Sequence, residues 1–308
     1  MRQAPTSRRR GFPLFRVQVF AYDNEGNVTA KPQITGNDSV EYTWDRRNRL
    51  VKVTFKTSGT ATKIVEYSYD FGARMVERSV DTDADLTDDE RRIFAHDAGQ
   101  VALHFEDTSS AGLTGIDLVR RYLWNPQGVD SLLADEQYDG TQTADDVLWP
   151  LADHLSTTRD VAQYNPTTDT TSIVNHITYN AFGVVVSETS TLATNDTLFH
   201  HTGKILDEHT ALQWHDHRWL NTATATWQSA DPIGFAAGDA NLYRYVGNNA
   251  VCLIDPSGQM PREMHALIIV EQYVSRAYGC GGWGTQWHSG RNRCWTVEQP
   301  SGWKRRPE

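Results

Sequence analysis

The chain has 308 residues, of which 39% are hydrophobic, 22% are charged and 10% are aromatic, and its formal net charge is −10. This acidic balance argues against a protein that binds nucleic acid, whose binding face is usually basic. The three cysteines exclude a disulfide scaffold, and no apolar run approaches the roughly 20 residues of a membrane-spanning helix or forms a secretory signal.

Residues 1–20 show no repeating pattern, and we expect them to form a poorly structured N-terminal segment, the lead. From residue 21 onward a short motif recurs, in which an aromatic residue precedes Asp or Asn and Gly often follows; residues 67–72 read YSYDFG. The acidic or amide residue falls at positions 23, 45, 70, 97, 125, 153 and 180, which are 22 to 28 residues apart. A nearly constant period of this length is typical of a repeat architecture.

Each repeat predicts a β-hairpin. Tyr67 and Tyr69 lie on one face of a strand, because side chains alternate with period two. Asp or Asn followed by Gly favours a tight turn. The strand that follows such a turn is expected to alternate again, as from Leu50 to Phe55 after Asp45. A lone hairpin cannot bury its rings, so successive hairpins should pair edge to edge into a long sheet. An ordinary β-sandwich is the alternative, but sandwiches lack a fixed period.

These motifs resemble those of the RHS/YD-repeat proteins, a polymorphic-toxin-type family. The hairpin units of residues 22–128 are similar to the family's repeats, and the chain from about Asp153 is similar to its repeat-associated core. The segments that carry the second likeness are 153–160 (DHLSTTRD), 179–183 (YNAFG), 231–235 (DPIGF), 241–249 (NLYRYVGNN) and 255–258 (DPSG). The resemblance divides the chain into a lead (1–20), YD-repeat hairpins (21–147), a repeat-associated core (148–259) and a variable tail (260–308).

The resemblance implies an all-β fold: a spiral sheet of tandem hairpins that forms part of a hollow shell, with a small irregular or α-helical tail. It also implies a structural role in a secreted or surface protein of bacterial competition, in which the shell encapsulates and presents a C-terminal effector. The implied partners are the remaining N-terminal shell of a longer protein, or secretion machinery, and an immunity protein for the tail. Seven hairpins are too few to enclose a cargo, so we expect a gene fragment or a short orphan copy.

The resemblance further implies an alternative function, an aspartic autoprotease that releases the effector near Gln259 and Met260. Paired carboxylates hydrolyse a peptide when one holds a proton and the other activates water. Asp231 and Asp255, each in an Asp-Pro-x-Gly segment, are the first candidates, and Asp239 is a third. The competing interpretation is that these aspartates only form turns.

Several positions depart from the family pattern. Gln259 stands where the family usually has leucine, and residues 225–227 (ATW) replace Gly-Arg-Phe, so an expected arginine is lost. Asn221 replaces a common aspartate. Because a substrate residue and a charge partner are both altered, we expect self-cleavage to be impaired.

The tail differs in composition from the rest of the chain. Residues 260–308 hold seven Lys or Arg and four acidic residues, a footprint too weak to predict nucleic-acid binding. Residues 264–274 have the spacing of a short helix. Cys280 and Cys294 could form a disulfide or, with His288, hold a metal. These three residues fall short of the four ligands that a structural zinc site requires. We interpret the tail as an effector remnant; the alternative is that it is itself a small toxin.

Three further patterns have two interpretations each. The His215-Asp216-His217 segment places two imidazoles on one strand face, either as metal ligands or, as we favour, as substitutes for rings in packing. Residues 81–92 are acidic but lack the spacing of a calcium loop, so a solvated loop between hairpins is expected. Cys252 is expected to be an inert thiol in a buried strand. We predict no cofactor and no metal site, and rings that could bind carbohydrate serve equally well as core.

Overall fold

The structure is a computed structural model that describes residues 19–32, 38–107, 117–138 and 144–259. The predictions for the tail, which concern the helix over 264–274, Cys280, His288, Cys294 and Met260, lie outside the described residues, as does most of the predicted lead. Within the described part of the chain, no helix has the length and apolar character needed to cross a membrane.

Fourteen strands form one antiparallel sheet, in which each strand pairs with the strands before and after it in the chain. The strands are β1 (Ala21–Tyr22), β2 (Val28–Pro32), β3 (Ser39–Trp44), β4 (Leu50–Thr57), β5 (Thr60–Tyr69), β6 (Met75–Asp81), β7 (Glu90–Asp97), β8 (Gln100–Asp107), β9 (Asp117–Trp124), β10 (Leu132–Tyr138), β11 (Ala144–Ala152), β12 (Thr158–Asn165), β13 (Thr170–Tyr179) and β14 (Val185–Glu188). This unbroken order confirms the predicted all-β fold of tandem hairpins and excludes the sandwich alternative.

All seven predicted Asp or Asn positions lie at a turn that joins an odd-numbered strand to the next even-numbered one. At the third turn, Asp70 Oδ1 accepts the backbone N–H groups of Gly72 at 2.8 Å and Arg74 at 2.9 Å. The same pair of bonds, to the second and fourth residues onward, recurs at Asp23, Asp45, Asp153 and Asn180. The carboxylate or amide is therefore needed to satisfy the turn backbone.

Strict alternation after each turn, as predicted for residues 50–55, is wrong. Trp44 pairs with Leu50 but Thr43 pairs with Lys52, so Val51 is a β-bulge. The bulge brings Leu50 and Val53, three positions apart, onto the same face, where both are 0% exposed. The second residue of each other even-numbered strand, or the third in β8, is skipped in the same way: Thr29, Val76, Ala102, Leu133, Arg159 and Val186.

A second, four-stranded sheet covers the aromatic face of the hairpins. Its strands are β15 (Ile205–Asp207), β16 (Leu212–His215), β17 (Arg218–Asn221) and β18 (Thr226–Trp227), and four short 3-10 turns lie at Ala193–Asn195, His201–Gly203, Gly234–Ala237 and Val246–Asn248. The ring of Trp219 lies 4.6 Å from that of Tyr67, and the ring of Phe199 lies 4.9 Å from that of Tyr122. The core is therefore continuous from the first sheet to the second.

Contacts of the second sheet and its flanking loops reach both ends of the first sheet. The backbone N–H of Val28, in the first hairpin, donates to the carbonyl of Gln228 at 2.8 Å. At the seventh turn, the space that a side chain on Gly183 would occupy is taken by the ring of His201. Since hairpins one and seven meet the same small segment, the long sheet curves around it, as twisted sheets of many strands do.

Candidate functional site

Two of the predicted aspartates meet at one arginine. Arg218 begins β17, Asp231 lies in the loop after β18, and Asp255 lies in the turn that leads to Gln259. Arg218 Nη2 is 2.9 Å from Asp231 Oδ2 and 3.2 Å from Asp255 Oδ2, and the three side chains are only 2%, 8% and 2% exposed. A single buried guanidinium therefore bridges the two carboxylates.

Each aspartate uses its other oxygen in its own turn. Asp231 Oδ1 accepts the backbone N–H of Ile233 at 3.0 Å. Asp255 Oδ1 accepts the backbone N–H of Gln259 at 3.2 Å. The turn role is thus present at both positions, together with a shared charge partner that a simple turn does not require.

Arg218 also holds the backbone at the predicted boundary. Its Nε donates to the carbonyl oxygen of Gly258, and its guanidinium carbon lies 4.1 Å above the ring of Trp227. Burial lowers the pKa of Arg218, while Asp255 and Asp231 act in the opposite direction. Burial therefore penalises the charged guanidinium, and the two carboxylates that face it offset that penalty.

A small cavity of about 30 Å³ borders the site, with Arg218, Trp227, Asp231, Asp239 and Asp255 in its lining. A water molecule needs roughly 10–15 Å³ of such space and several polar partners. The cavity meets both requirements, so the site can admit water beside the two carboxylates.

Asp239, the third candidate, has a different partner. Its carboxylate forms a bidentate pair with Arg244, with Nη2 at 2.5 Å and Nε at 2.8 Å. It lines the same cavity, while its ion pair is with Arg244. Gln259 lies at the site, whereas Met260 is beyond the described residues.

Arg218 was not among the site residues predicted from the sequence. The features that mark it appear only in the structure, where it pairs opposite His215 in a hairpin of the second sheet and is only 3% exposed. Asn221, which replaces the family aspartate, uses its side-chain oxygen to accept the backbone N–H of Ala223 at 3.1 Å and of Thr224 at 3.2 Å. Residues 225–227 lack the arginine that the family pattern has there, but Arg218 provides a charge partner for Asp231 and Asp255.

The prediction that His215 and His217 share a strand face is wrong. His215 ends β16, and His217 lies exposed in the two-residue turn before β17. The His215 ring stands edge-on to Trp227 at 5.0 Å and to Tyr245 at 5.8 Å, so its interpretation as a packing ring is confirmed. Burial lowers the pKa of His215 well below its ordinary value, and the ring stays neutral.

Residues 82–89 of the acidic segment form the predicted loop, whereas Asp81 ends β6 and residues 90–92 belong to β7. The Asp81 carboxylate accepts the backbone N–H groups of Ala84 at 2.6 Å and Leu86 at 2.8 Å. Asp81, Asp83 and Asp89 bring one carboxylate oxygen each within 4.8 Å of one another, and Glu90, Glu208 and His209 do so with two carboxylate oxygens and a ring nitrogen. Arg78 contacts both glutamates of the second group at 3.2 and 2.9 Å, so that cluster is an ion-pair network.

Cys252 was predicted in a buried strand, and this is wrong. The residue lies in a turn and is half-buried. The apolar run of residues 251–254 is broken because the backbone N–H groups of Cys252 and Leu253 both donate to the carbonyl of Asn249.

No protein-family model matches the chain, and no curated protein is similar to it in sequence. Among solved structures, the crystal structure of TcdB2-TccC3-Cdc42 matches 84% of this chain at 15% identity with a TM-score of 0.55, over 14% of its own length. The Photorhabdus luminescens Tc holotoxin pore with a TccC3 mutation matches 79% at 16% identity and a TM-score of 0.55, over 13% of its length. TcdB2-TccC3-TEV matches 78% at 17% identity and a TM-score of 0.54, over 13% of its length.

These likenesses establish a shared fold. The matched part is about one seventh of each longer chain, so the present chain corresponds to a small portion of those proteins.

Proposed function

We propose that this chain is a structural β-shell segment of an RHS-type secreted or surface protein, which encapsulates and presents a C-terminal effector. The observation that carries the proposal is the position of Gly258, in the last turn before the tail. Gly258 packs against the backbone of His215 and Arg218 on the second sheet, which itself covers the aromatic face of the hairpins. The tail therefore starts from the covered side of the sheet.

The two faces of the long sheet differ in exposure, as expected for the wall of a shell. One face holds the buried rings, such as Tyr67 and Tyr122, which are 3% and 4% exposed. The opposite face carries ion pairs, as between Lys52 and Glu66, whose side chains are 39% and 47% exposed. A sheet with one solvated and one covered face suits a shell, with partners that supply the remaining turns of the wall.

Limited proteolysis of the native protein that contains this chain together with the rest of the wall tests this role. Trypsin sites in the tail, such as Arg276 and Lys304, should resist cleavage until denaturant opens the wall. A synthetic peptide of residues 260–308 is the control for the unprotected rate. Cleavage of the native tail at the peptide's rate, with residues 19–259 still intact, would contradict encapsulation.

We propose self-cleavage near Gln259 as a second function, with Asp231 and Asp255 as the catalytic carboxylates. What supports it is the water-sized cavity beside them and the backbone of residues 258 and 259 held between Arg218 and Asp255. Because Gln259 and residues 225–227 depart from the family pattern, we expect slow cleavage.

Mass measurement of the purified chain over time tests self-cleavage. A break near residue 259 should form in the unchanged protein and disappear in Asp231→Asn and Asp255→Asn. Asp70→Asn is a matched control, because Asp70 also caps its own turn and pairs with an arginine but lies in the third hairpin. A chain that stays intact leaves the shell role alone.

A further inference from the structure

We infer that Lys204 and Asp130 form a covalent amide (isopeptide) bond between their side chains, which joins the second sheet to the fifth hairpin. Lys204 immediately precedes β15, and Asp130 lies in the turn between β9 and β10. The ion pair between them is the state from which the bond forms. The inference does not rest on the proposed functions of the chain, because it concerns only the side chains that hold the two sheets together.

The two reacting groups are held in contact by the backbone as well as by their charges. Lys204 Nζ lies 3.0 Å from Asp130 Oδ1, and the side chains are 8% and 2% exposed. A Cβ on Gly203, the residue before the lysine, would lie 1.9 Å from the backbone carbonyl oxygen of Asp130. The two segments therefore touch, which keeps the amine beside the carboxyl group. Groups fixed at this distance react as if each were present at very high concentration.

The two carboxyl oxygens of Asp130 have different surroundings. Oδ1 accepts from Lys204 Nζ at 3.0 Å and from the side-chain amide of Gln100, the first residue of β8, at 2.9 Å. Oδ2 is buried and has no hydrogen-bond partner among the residues that the structure describes. A buried carboxylate needs donors for its oxygen atoms, and burial raises the pKa of Asp130. Oδ1 is thus placed as a carbonyl oxygen and Oδ2 as the hydroxyl group that can leave.

A third group is placed to take a proton from the amine. Asp216 Oδ1, in the turn between β16 and β17, lies 3.7 Å from Lys204 Nζ, and its side chain is 40% exposed. Burial lowers the pKa of Lys204, but Asp130 and Asp216 outweigh this effect and the net direction is upward. The ammonium group therefore becomes a nucleophile only by giving protons to these two carboxylates, and both lie within its reach.

The chemistry follows from these contacts. One proton passes from Lys204 to Asp130, which leaves a neutral amine beside a neutral carboxyl group. Nζ then adds to Cγ of Asp130, and the negative charge that develops on Oδ1 is stabilised by the Gln100 amide. Asp216 takes a proton from the nitrogen and returns it as the Cγ–Oδ2 bond breaks. The products are a neutral amide and one water molecule, and the two buried charges disappear together with their desolvation cost.

The primary test is the mass of the unchanged 308-residue chain. In denaturant, its mass should be lower than the sequence mass by one water molecule, and a tryptic digest should contain a branched peptide that joins Asp130 to Lys204. The exposed pair of Lys52 and Glu66, whose charged atoms are 2.6 Å apart, is the internal control and should stay unlinked. Separate, unmodified peptides for Asp130 and Lys204 would overturn the inference. The branched peptide forms whether or not the tail is cut, so this result is independent of self-cleavage.

Variants test the groups that flank the bond. Gln100→Leu and Asp216→Asn should each slow bond formation by about 100-fold, which leaves a larger share of chains at the unreacted mass. Lys204→Arg keeps the positive charge without a reactive amine and should give no branched peptide. Lys52→Met, at the control pair, should be linked as fully as the unchanged chain. Circular dichroism selects variants that are equally folded. A folded Asp216→Asn chain that is linked at the unchanged rate would overturn the assignment of Asp216 as the base.

Discussion

The hydroxyl of Tyr69, the residue just before the third turn, donates a 2.7 Å hydrogen bond to the carbonyl oxygen of Leu50, which begins the second strand of the preceding hairpin. Its neighbours along the repeat do the same: Trp44 donates to Val28 and Trp124 donates to Val101, each at 2.7 Å. At these three turns, the ring that precedes the turn residue therefore ties one hairpin to the one before it. This contact explains why an aromatic donor and an aspartate or asparagine recur together.

Removing this tie should destabilise the fold without removing the ring. In Tyr69→Phe, the Leu50 carbonyl loses its donor and the Trp219 indole N–H loses an acceptor at 3.0 Å. We expect the free energy of unfolding to fall by about 1–2 kcal/mol in urea titrations. Tyr164→Phe is the control, because its hydroxyl bonds Asp169 at an exposed hairpin; equal losses in the two variants would contradict a specific role for Tyr69.

The turn carboxylates should tolerate an amide but not an alkyl group. Asp70→Asn keeps an oxygen for the N–H groups of Gly72 and Arg74, whereas Asp70→Ala leaves them to solvent. We expect Asp70→Ala to lower the free energy of unfolding by about 1 kcal/mol and Asp70→Asn to lower it less. Chemical denaturation of the two variants measures the difference. If both lose the same amount, the ion pair with Arg74 matters more than the turn bonds.

These turns were predictable from the sequence because their bonds are local. Asp70 reaches only to Gly72 and Arg74, so the motif itself contains both partners. The bulge at Val51 depends on the register with β3, which the sequence does not display. Arg218 gains its role from Asp231 and Asp255, 13 and 37 positions away in the chain. The fold was thus predictable from repetition, while the bridging arginine required the tertiary structure.

Two buried histidines should make the protein less stable as the pH falls below about 6.5. Burial lowers the pKa of His104 and of His201 to about 4, below the ordinary value near 6.5. The unfolded chain therefore binds more protons between these values, so stability is full above about pH 6.5 and falls as the pH drops toward 4. Asp135, whose pKa burial raises to about 6, opposes this trend.

Comparison of variants isolates the histidine contribution. Urea titrations at pH 7, 6 and 5 should show a smaller loss of stability on acidification for His201→Gln than for the unchanged chain. His217→Gln, at an exposed turn position, should retain the full loss. An identical pH dependence in all three proteins would contradict the neutral state of buried His201.

The ion pair between Lys204 and Asp130 links the second sheet to the fifth hairpin. Lys204 Nζ lies 3.0 Å from Asp130 Oδ1, and the side chains are 8% and 2% exposed. Lys204→Met should lower the free energy of unfolding by about 3–5 kcal/mol, because it leaves Asp130 buried without its cation. The double variant Lys204→Met with Asp130→Leu should recover much of that loss in thermal and urea unfolding. A double variant as unstable as the single one would show that the ion pair itself, and not the orphaned charge, sets the cost.

Electron cryomicroscopy of the native protein that contains this chain is the most direct test of the shell. A shell role predicts a closed β-wall that includes the fourteen strands, with the second sheet on the inner side and density for the C-terminal segment enclosed by the wall. An open sheet, or a C-terminal segment that leaves from the outer, charged face beside Lys52 and Glu66, would contradict it.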